Sequence, residues 1–413
     1  MKTLAWLQQS LSRKQPQPAD QRFAQINTLV VKVTNRCNLD CLYCYENIQK
    51  KGQDMSMEVF VALAERVFQA TQAPEVLFLF HGGEPMLLPA AWYEQACAAA
   101  RKIAKRLDKR AKFAMQSNLV SLTPAKIKML QDLQIELGIS FDGIAERFAS
   151  MRNQEAKVME NYWRLREANV KTGILTTINH QNFAHFDTIC RFLVEEAKVN
   201  HFKANVVSPV GRGYGLANLS AAQIFEAQRA ILEFMIETQG KVLSEYNLSL
   251  ALDRFFNPSK RLATTTLCHE KRCGAGSQVL GITTTGDLLP CGRFQWDDHL
   301  YQLGNLADDN QANSFQQKVD RFHDLVPQNW FDCPTCPAKA ICAFGCQAFI
   351  VRSQAQANVE CLPTKMLFQY LTENQERLRP IWENGQKTRS KPQAGFKIKD
   401  KLGNYRYYQI QET

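Results

Sequence analysis

No stretch of the 413 residues stays apolar for long enough to cross a bilayer. The opening, MKTLAWLQQSLSRKQ, holds no continuous hydrophobic core of the kind a secretory signal needs, so the cytoplasm is the expected compartment. There is no internal repeat. No nucleic-acid module is visible, and the aromatics are not interleaved with the basic runs, which argues against an RNA partner in spite of a net charge of +10. Seven Lys/Arg against two Asp/Glu between 387 and 413 place half of that excess in the last stretch of chain. A solvated basic tail is the plainest account of it. With 45% hydrophobic and 22% charged residues, the chain has the composition of a soluble globular protein. Its length suits one large unit and a smaller one.

What the sequence does have is cysteine, thirteen in all. In a reducing compartment these are expected to hold metal rather than to pair as disulfides. VTNRCNLDCLYCYE puts Cys37, Cys41 and Cys44 within eight residues, directly after the apolar run TLVVKV. Three thiolates are too few for a closed structural zinc site and are odd in number for disulfides. They suit a metal centre with one position left open. The alternative is that the three share a helix face and are simply core.

Apolar runs alternate with helical patterns from residue 27 to about 213. The strand candidates are 27–33, 75–83, 112–118, 135–143, 171–179 and 201–213. Between them lie helix candidates such as 56–71, with Ser56 as cap, and 123–133, with Pro124 in the first turn. Short, nearly continuous apolar strands in this rhythm predict a parallel α/β sheet with outer helices. Loops that follow strand C-termini gather ligands in such sheets, and the cysteine loop is one of them. After about residue 240 the rhythm stops, cysteines crowd, and 279–294 reads as a hairpin turning at Thr285-Gly286-Asp287.

The spacing Cys-x3-Cys-x2-Cys, with Tyr43 before the last cysteine, resembles the signature of the radical S-adenosylmethionine (SAM) superfamily. HGGEP, at Gly82, Gly83, Glu84 and Pro85 after the second strand, resembles the motif that meets the amino group of SAM. Asn118, Ser140 and Asp142 fall where ribose contacts lie, and Arg152 where an arginine meets the SAM carboxylate. The resemblance covers about 26–235. It implies a partial (β/α)6 TIM-like barrel, a [4Fe-4S] cluster on Cys37, Cys41 and Cys44 with one iron open to SAM, and an electron from flavodoxin or ferredoxin. The 5′-deoxyadenosyl radical then takes a hydrogen atom from substrate.

The later cysteines extend the resemblance. Twelve residues separate Cys273 from Gly286 and four separate Gly286 from Cys291; Cys333, Cys336, Cys342 and Cys346 follow at x2, x5 and x3, then Cys361. This is similar to the seven-cysteine SPASM domain, with Cys268 as an eighth ligand. It implies two closed auxiliary [4Fe-4S] clusters, Cys268, Cys273, Cys291 and Cys346 holding the first and Cys333, Cys336, Cys342 and Cys361 the second. Paired zinc sites are the rival, since such pairs also suit zinc. Closed clusters would accept the surplus electron of a net oxidation. Cys97 and Cys190 read as core.

The expected organisation is a flexible 1–25, a radical SAM core over 26–240, a SPASM-type cluster domain over 241–385 and a basic tail over 386–413. A precursor peptide is the implied substrate and an intramolecular crosslink the implied product, as in cyclophane-forming maturases. Sulfatase maturation to formylglycine is the alternative, but those enzymes carry an aspartate base where this chain has Gly292. An RNA-modifying enzyme and a plain electron carrier rank below both. Arg293, Asp297, Asp298 and His299 stand nearby with no assigned role. The 25 residues before the first strand are too few for a winged-helix leader-binding domain. The tail FKIKDKLGNYRYYQIQ alternates and suits a strand added to a sheet edge.

Overall fold

Valine, isoleucine, phenylalanine and threonine concentrate where the chain is extended. The computed structural model describes residues 20–46, 48, 52–143, 151–214, 219–258, 273–295, 297–308, 312–325, 333–342, 345–352, 358–388, 396–399 and 405–408. In it Thr28–Thr34 (β1), Glu75–Gly82 (β2), Arg110–Ser117 (β3), Glu136–Ser140 (β4), Thr172–Ile178 (β5) and His201–Val206 (β6) lie side by side and parallel in chain order. Helices make the crossovers: Met57–Ala70 (α1), Ala90–Arg106 (α2), Pro124–Asp132 (α3), Glu155–Glu167 (α4) and Phe186–Glu195 (α5). Ser56 caps α1 by accepting from the Val59 N–H at 3.3 Å, and Thr123 caps α3 through Lys126 N–H.

The near-continuous apolar strands predicted a parallel sheet with outer helices, and the structure has one, with burial alternating along the strands. In β2, Val76, Phe78, Phe80 and Gly82 are buried while Leu77, Leu79 and His81 are half-buried. The helices seal one face, where Phe80 stacks on Phe113 and meets Tyr93 edge-on at 5.1 Å. The other face looks into an interior space.

The sheet does not stop at six strands. Ala221–Glu237 (α6) leads to Ser244–Glu245 (β7), parallel to β6, and then to Tyr246–Phe256 (α7). At the opposite edge Val279–Ile282 (β8) pairs in parallel with β1, and Asp287–Leu289 (β9) folds back on it through the expected turn, with Gly286 at φ +86°. Gly304–Asn305 (β10) closes that edge. The region read from sequence as a second unit thus shares the sheet. It shares the main core too, through Leu280, Ile282, Phe315, Leu367, Leu371 and Leu378. Its helices are Ala312–Asp324 (α8), Gln347–Arg352 (α9), Cys361–Glu373 (α10) and Gln375–Thr388 (α11). Tyr370 of α10 donates to Glu233 of α6 at 2.5 Å, and Trp382 of α11 donates to Asp253 of α7 at 2.8 Å. The tail strands Phe396–Lys399 (β11) and Tyr405–Tyr408 (β12) pair with each other rather than with an edge of the main sheet. Cys97 on α2 and Cys190 on α5 are fully buried, as core cysteines.

Asp20 ties the start of the described chain to this edge. Its carboxylate accepts from Arg22 Nη2 at 2.7 Å and from Arg66 Nη1 at 3.1 Å, and both arginines also donate to the Asp308 carbonyl. Burial alone would raise the Asp20 carboxyl, but the two guanidinium groups outweigh it and hold it below the usual aspartate value. A depressed carboxylate adds stability above its unfolded pKa and loses it as pH falls through the folded value. We expect Asp20→Asn to cost about 2 kcal/mol at neutral pH. We also expect it to flatten the acid limb below about pH 4, where the aspartate would otherwise titrate, in urea midpoints measured against pH.

Candidate functional site

β1 delivers the cysteine loop, and the turn after β2 holds its root. Gly83 N–H donates to the Thr34 carbonyl and Glu84 N–H to the Arg36 carbonyl, both at 2.8 Å, so GGEP is zipped to the chain entering Cys37. Only glycine fits here. A Cβ on Gly83 would stand 2.0 Å from the Arg36 oxygen, and one on Gly82, at φ +114°, would stand 2.2 Å from the Thr34 oxygen.

Two further ties hold the loop. Leu42 N–H donates to the Met151 carbonyl at 3.0 Å, and Arg212 N–H donates to the Cys44 carbonyl at 3.0 Å. Arg212 also pairs with Asp40. Burial pushes the Cys37 thiol up to about 11 and the Cys44 thiol up to about 12. Cys41 rises for the same reason, and the negative charges of Cys41, Glu84 and Glu46 add to the effect on the other two. Three soft donors that feel one another's charge out of water fit a cationic metal group. Among the described residues, no three His, Cys, Asp or Glu side chains converge on a single-ion site.

The residues matched to SAM contacts form two hydrogen-bonded groups. In the first, Glu84 accepts from Ser117 Oγ–H at 2.7 Å, Met86 N–H at 2.8 Å and Asn118 N–H at 2.7 Å. Burial still raises the Glu84 carboxyl. The Asn118 amide lies 3.8 Å from Cys37 Sγ and donates to Asn38 at 2.8 Å. In the second group, Tyr43 O–H donates to Asp142, Arg152 Nη1 donates to Tyr43 Oη at 2.9 Å, and Asp142 also accepts from Thr177 N–H at 2.8 Å. Tyr43 is thereby locked between the last two cysteines of the loop. Ser140 lies outside both groups and accepts from Gln116 at 2.8 Å.

Sequence reasoning passed over Lys32. Its ammonium is buried on β1, 2.9 Å from Glu46 Oε2 and 2.5 Å from the Phe294 carbonyl. Burial alone would raise the Glu46 carboxyl, but Lys32 brings it below its usual value. His81 Nδ1 stands 3.5 Å from Glu46 Oε1 but accepts from Gly82 N–H at 2.8 Å, so it makes no hydrogen bond to Glu46. The signal was a lone lysine in LVVKV. Among the residues without an assigned role, Arg293 lies over the rings of Tyr45 and Phe349, at 5.3 and 4.4 Å, and Asp298 pairs with Arg352 at 2.9 Å.

Of the later cysteines, Cys273, Cys291 and Cys346 pack around one small core of Leu289, Phe294 and Ala348. With Cys342 they line a cavity of about 220 Å3. Cys333 and Cys336 precede a 3-10 turn at Pro337–Ala340, and Cys361 opens α10. Cys268 lies outside the described residues. Ile178 of β5, Lys203 of β6 and Glu245 of β7 line the same cavity as Val279 of β8. Five strands separate β8 from β6 in the sheet, so the sheet curls until its two flanks face one space. At Gly292 a Cβ would meet Val30 Cγ1 at 2.5 Å, which leaves no room for a longer side chain without movement.

Residues 31–193 match the family described as the Radical SAM superfamily, over less than half of the chain. The protein carries a radical SAM domain. Uncharacterized protein MJ0907 of Methanocaldococcus jannaschii is 25% identical over 171 residues, 40% of this chain and 58% of that protein. A cysteine-type anaerobic sulfatase-maturating enzyme of Clostridium novyi is 24% identical over 342 residues, 78% of this chain and 88% of the enzyme. Among solved structures, anSMEcpe with bound AdoMet superposes with a TM-score of 0.73 at 20% identity, covering 86% of this chain and 99% of that one. Streptococcus suis SuiB bound to precursor peptide SuiA superposes at 0.58 and 14% identity, covering 86% and 85%. Around its radical SAM domain the chain therefore has the α/β fold of those structures, and no helix among the described residues is long and apolar enough to cross a membrane.

Proposed function

We propose that the protein is a peptide-modifying radical SAM oxidoreductase that forms an intramolecular crosslink in a ribosomally made precursor. The observation that carries the enzymatic part is the zip between the GGEP turn and the root of the three-cysteine loop. It sets a three-thiolate donor set beside backbone that a ligand can approach closely. Cys37, Cys41 and Cys44 would hold the cluster, and Gly82, Gly83, Glu84, Asn118, Ser140, Asp142 and Arg152 would surround SAM. When bound, the pair supplies a 5′-deoxyadenosyl radical that abstracts a hydrogen atom. Tyr43, pinned by Asp142 and Arg152, fixes the loop, and the apolar packing of Met151 and Val207 around it keeps water out.

The two auxiliary clusters and the flavodoxin or ferredoxin donor belong to this reading. Loss of two hydrogens would balance as one atom to 5′-deoxyadenosine, one proton to a base and one electron to an auxiliary cluster, which Cys273, Cys291 and Cys346 would help to hold. Relatives named for sulfatase maturation favour formylglycine formation as a second reading. Gly292 speaks against it, because a glycine cannot take a proton where those enzymes carry their aspartate base.

The test is co-expression with any short reading frame beside the gene, read by mass spectrometry. Loss of two hydrogens with a new crosslink supports the proposal, and an aldehyde on a sulfatase peptide replaces it with the second reading. In anaerobically reconstituted protein, Cys37→Ser is expected to remove about four of about twelve irons. It should also abolish 5′-deoxyadenosine formation. Full iron content, or zinc in place of iron, would refute the assignment.

A further inference from the structure

The cavity beside Cys273, Cys291 and Cys346 is lined mostly by apolar side chains, and most of its charged lining groups have partners in the fold. Glu245 accepts from Ala204 N–H at 2.8 Å and Leu248 N–H at 2.7 Å. Lys203 Nζ stands 4.9 Å over the Tyr246 ring, and Arg254 donates to the Ile341 carbonyl at 3.4 Å. Two buried oxygens that line the cavity have no partner: Gln228 Oε1 on α6 and Asn247 Oδ1 on α7. The orientation of Asn247 is fixed, because its Nδ2 donates to the Ala204 carbonyl at 2.6 Å. A buried acceptor without a donor is costly unless water or a ligand serves it, and two of them face this one cavity.

An amide oxygen accepts and cannot donate. The sulfides and thiolates of an iron–sulfur cluster are acceptors as well, so a cluster on the nearby cysteines would leave both oxygens unmatched. An anion is excluded by the same argument. The complementary occupant brings N–H donors, and a peptide main chain supplies them at regular spacing, along with carbonyls of its own. Resting on the peptide-modifying reading above, we propose that Asn247 and Gln228 position the substrate by accepting hydrogen bonds from its main-chain N–H groups, beside the cysteines of the C-terminal region. They are positioning residues, set on helices that the sheet holds rigidly.

The probe is a peptide expressed from any short reading frame found beside the gene, titrated onto anaerobically reconstituted full-length protein. Gln228→Met keeps the length of the side chain and removes the acceptor. It is expected to raise the peptide Kd and KM by about tenfold while kcat changes less. Because it also relieves an unpaired buried oxygen, the melting temperature of peptide-free protein should rise by about 1–3 °C. Gln228→Glu retains an acceptor at the same reach and is expected to recover most of the affinity. Asn247→Leu should weaken binding at least as much, although it also strips the Ala204 carbonyl of its donor.

Unchanged affinity in Gln228→Met would assign these oxygens to water and overturn the inference, and a lower melting temperature would do the same by showing a structural partner. If the wild-type protein does not bind the peptide, the inference falls together with the reading it rests on. If binding weakens as expected but no crosslink forms, the inference stands and the crosslinking reading falls.

Discussion

Gly83→Ala will cost about 100-fold or more in SAM cleavage while leaving most of the protein folded. The added methyl group would stand 2.0 Å from the Arg36 oxygen and 2.6 Å from its carbonyl carbon, and both are backbone atoms that cannot swing away. The contact must be relieved by parting the two chain segments, which breaks the 2.8 Å bonds from Gly83 to Thr34 and from Glu84 to Arg36. Parting them moves Cys37 away from the Asn118 amide and moves the GGEP backbone away from any ligand. Overpacking of this kind costs about 1–3 kcal/mol, which a protein of this size survives. The measurement is 5′-deoxyadenosine formed per reduced cluster, with circular dichroism as the folding control. A variant that turns over at the parental rate would show that the zip is not what sets the site.

Lys32→Met will be the most destabilising of the conservative changes, by about 3–5 kcal/mol, because it leaves Glu46 buried without its cation. Both side chains are less than a tenth exposed, and the ammonium also serves the Phe294 carbonyl. Lys32 therefore ties three pieces of chain together: β1, the end of the cysteine loop and the turn after Cys291. Removing both charges, as Lys32→Met with Glu46→Leu, should restore much of the loss, since the penalty lies in the unpaired carboxylate rather than in the absence of a bond. Urea unfolding of the two single variants and the double variant closes the cycle. A single variant within about 1 kcal/mol of the parent would mean that water reaches Glu46.

The alternation of strands and helices up to β6 was legible because β1, β2 and β5 are dense in β-branched and apolar residues, and because Ser56 and Thr123-Pro124 mark helix starts. The hairpin at Gly286 was legible from turn chemistry. The pairing of β8 with β1 was not, since nothing in the pattern of 279–282 names residues 28–31 as its neighbours. β7 is two residues long and leaves no periodic trace. Within the site, motif spacing brought out the cysteines and GGEP, but not the bond between Tyr43 and Asp142, which lie 99 positions apart. The role of Lys32 was hidden for a related reason. A charge in an apolar strand looks like an exposed edge until its partner, fourteen residues on, is seen to fold back over it.

The strand that launches the cysteine trio has ladder partners on both flanks, one of them supplied by chain some 250 residues later. An amputated fragment ending near residue 240 would bare the outer flank of that strand, an open template for sticky association with other copies. The chemistry at the loop therefore depends on the last third of the polypeptide for its mechanical footing, whatever else that third contributes.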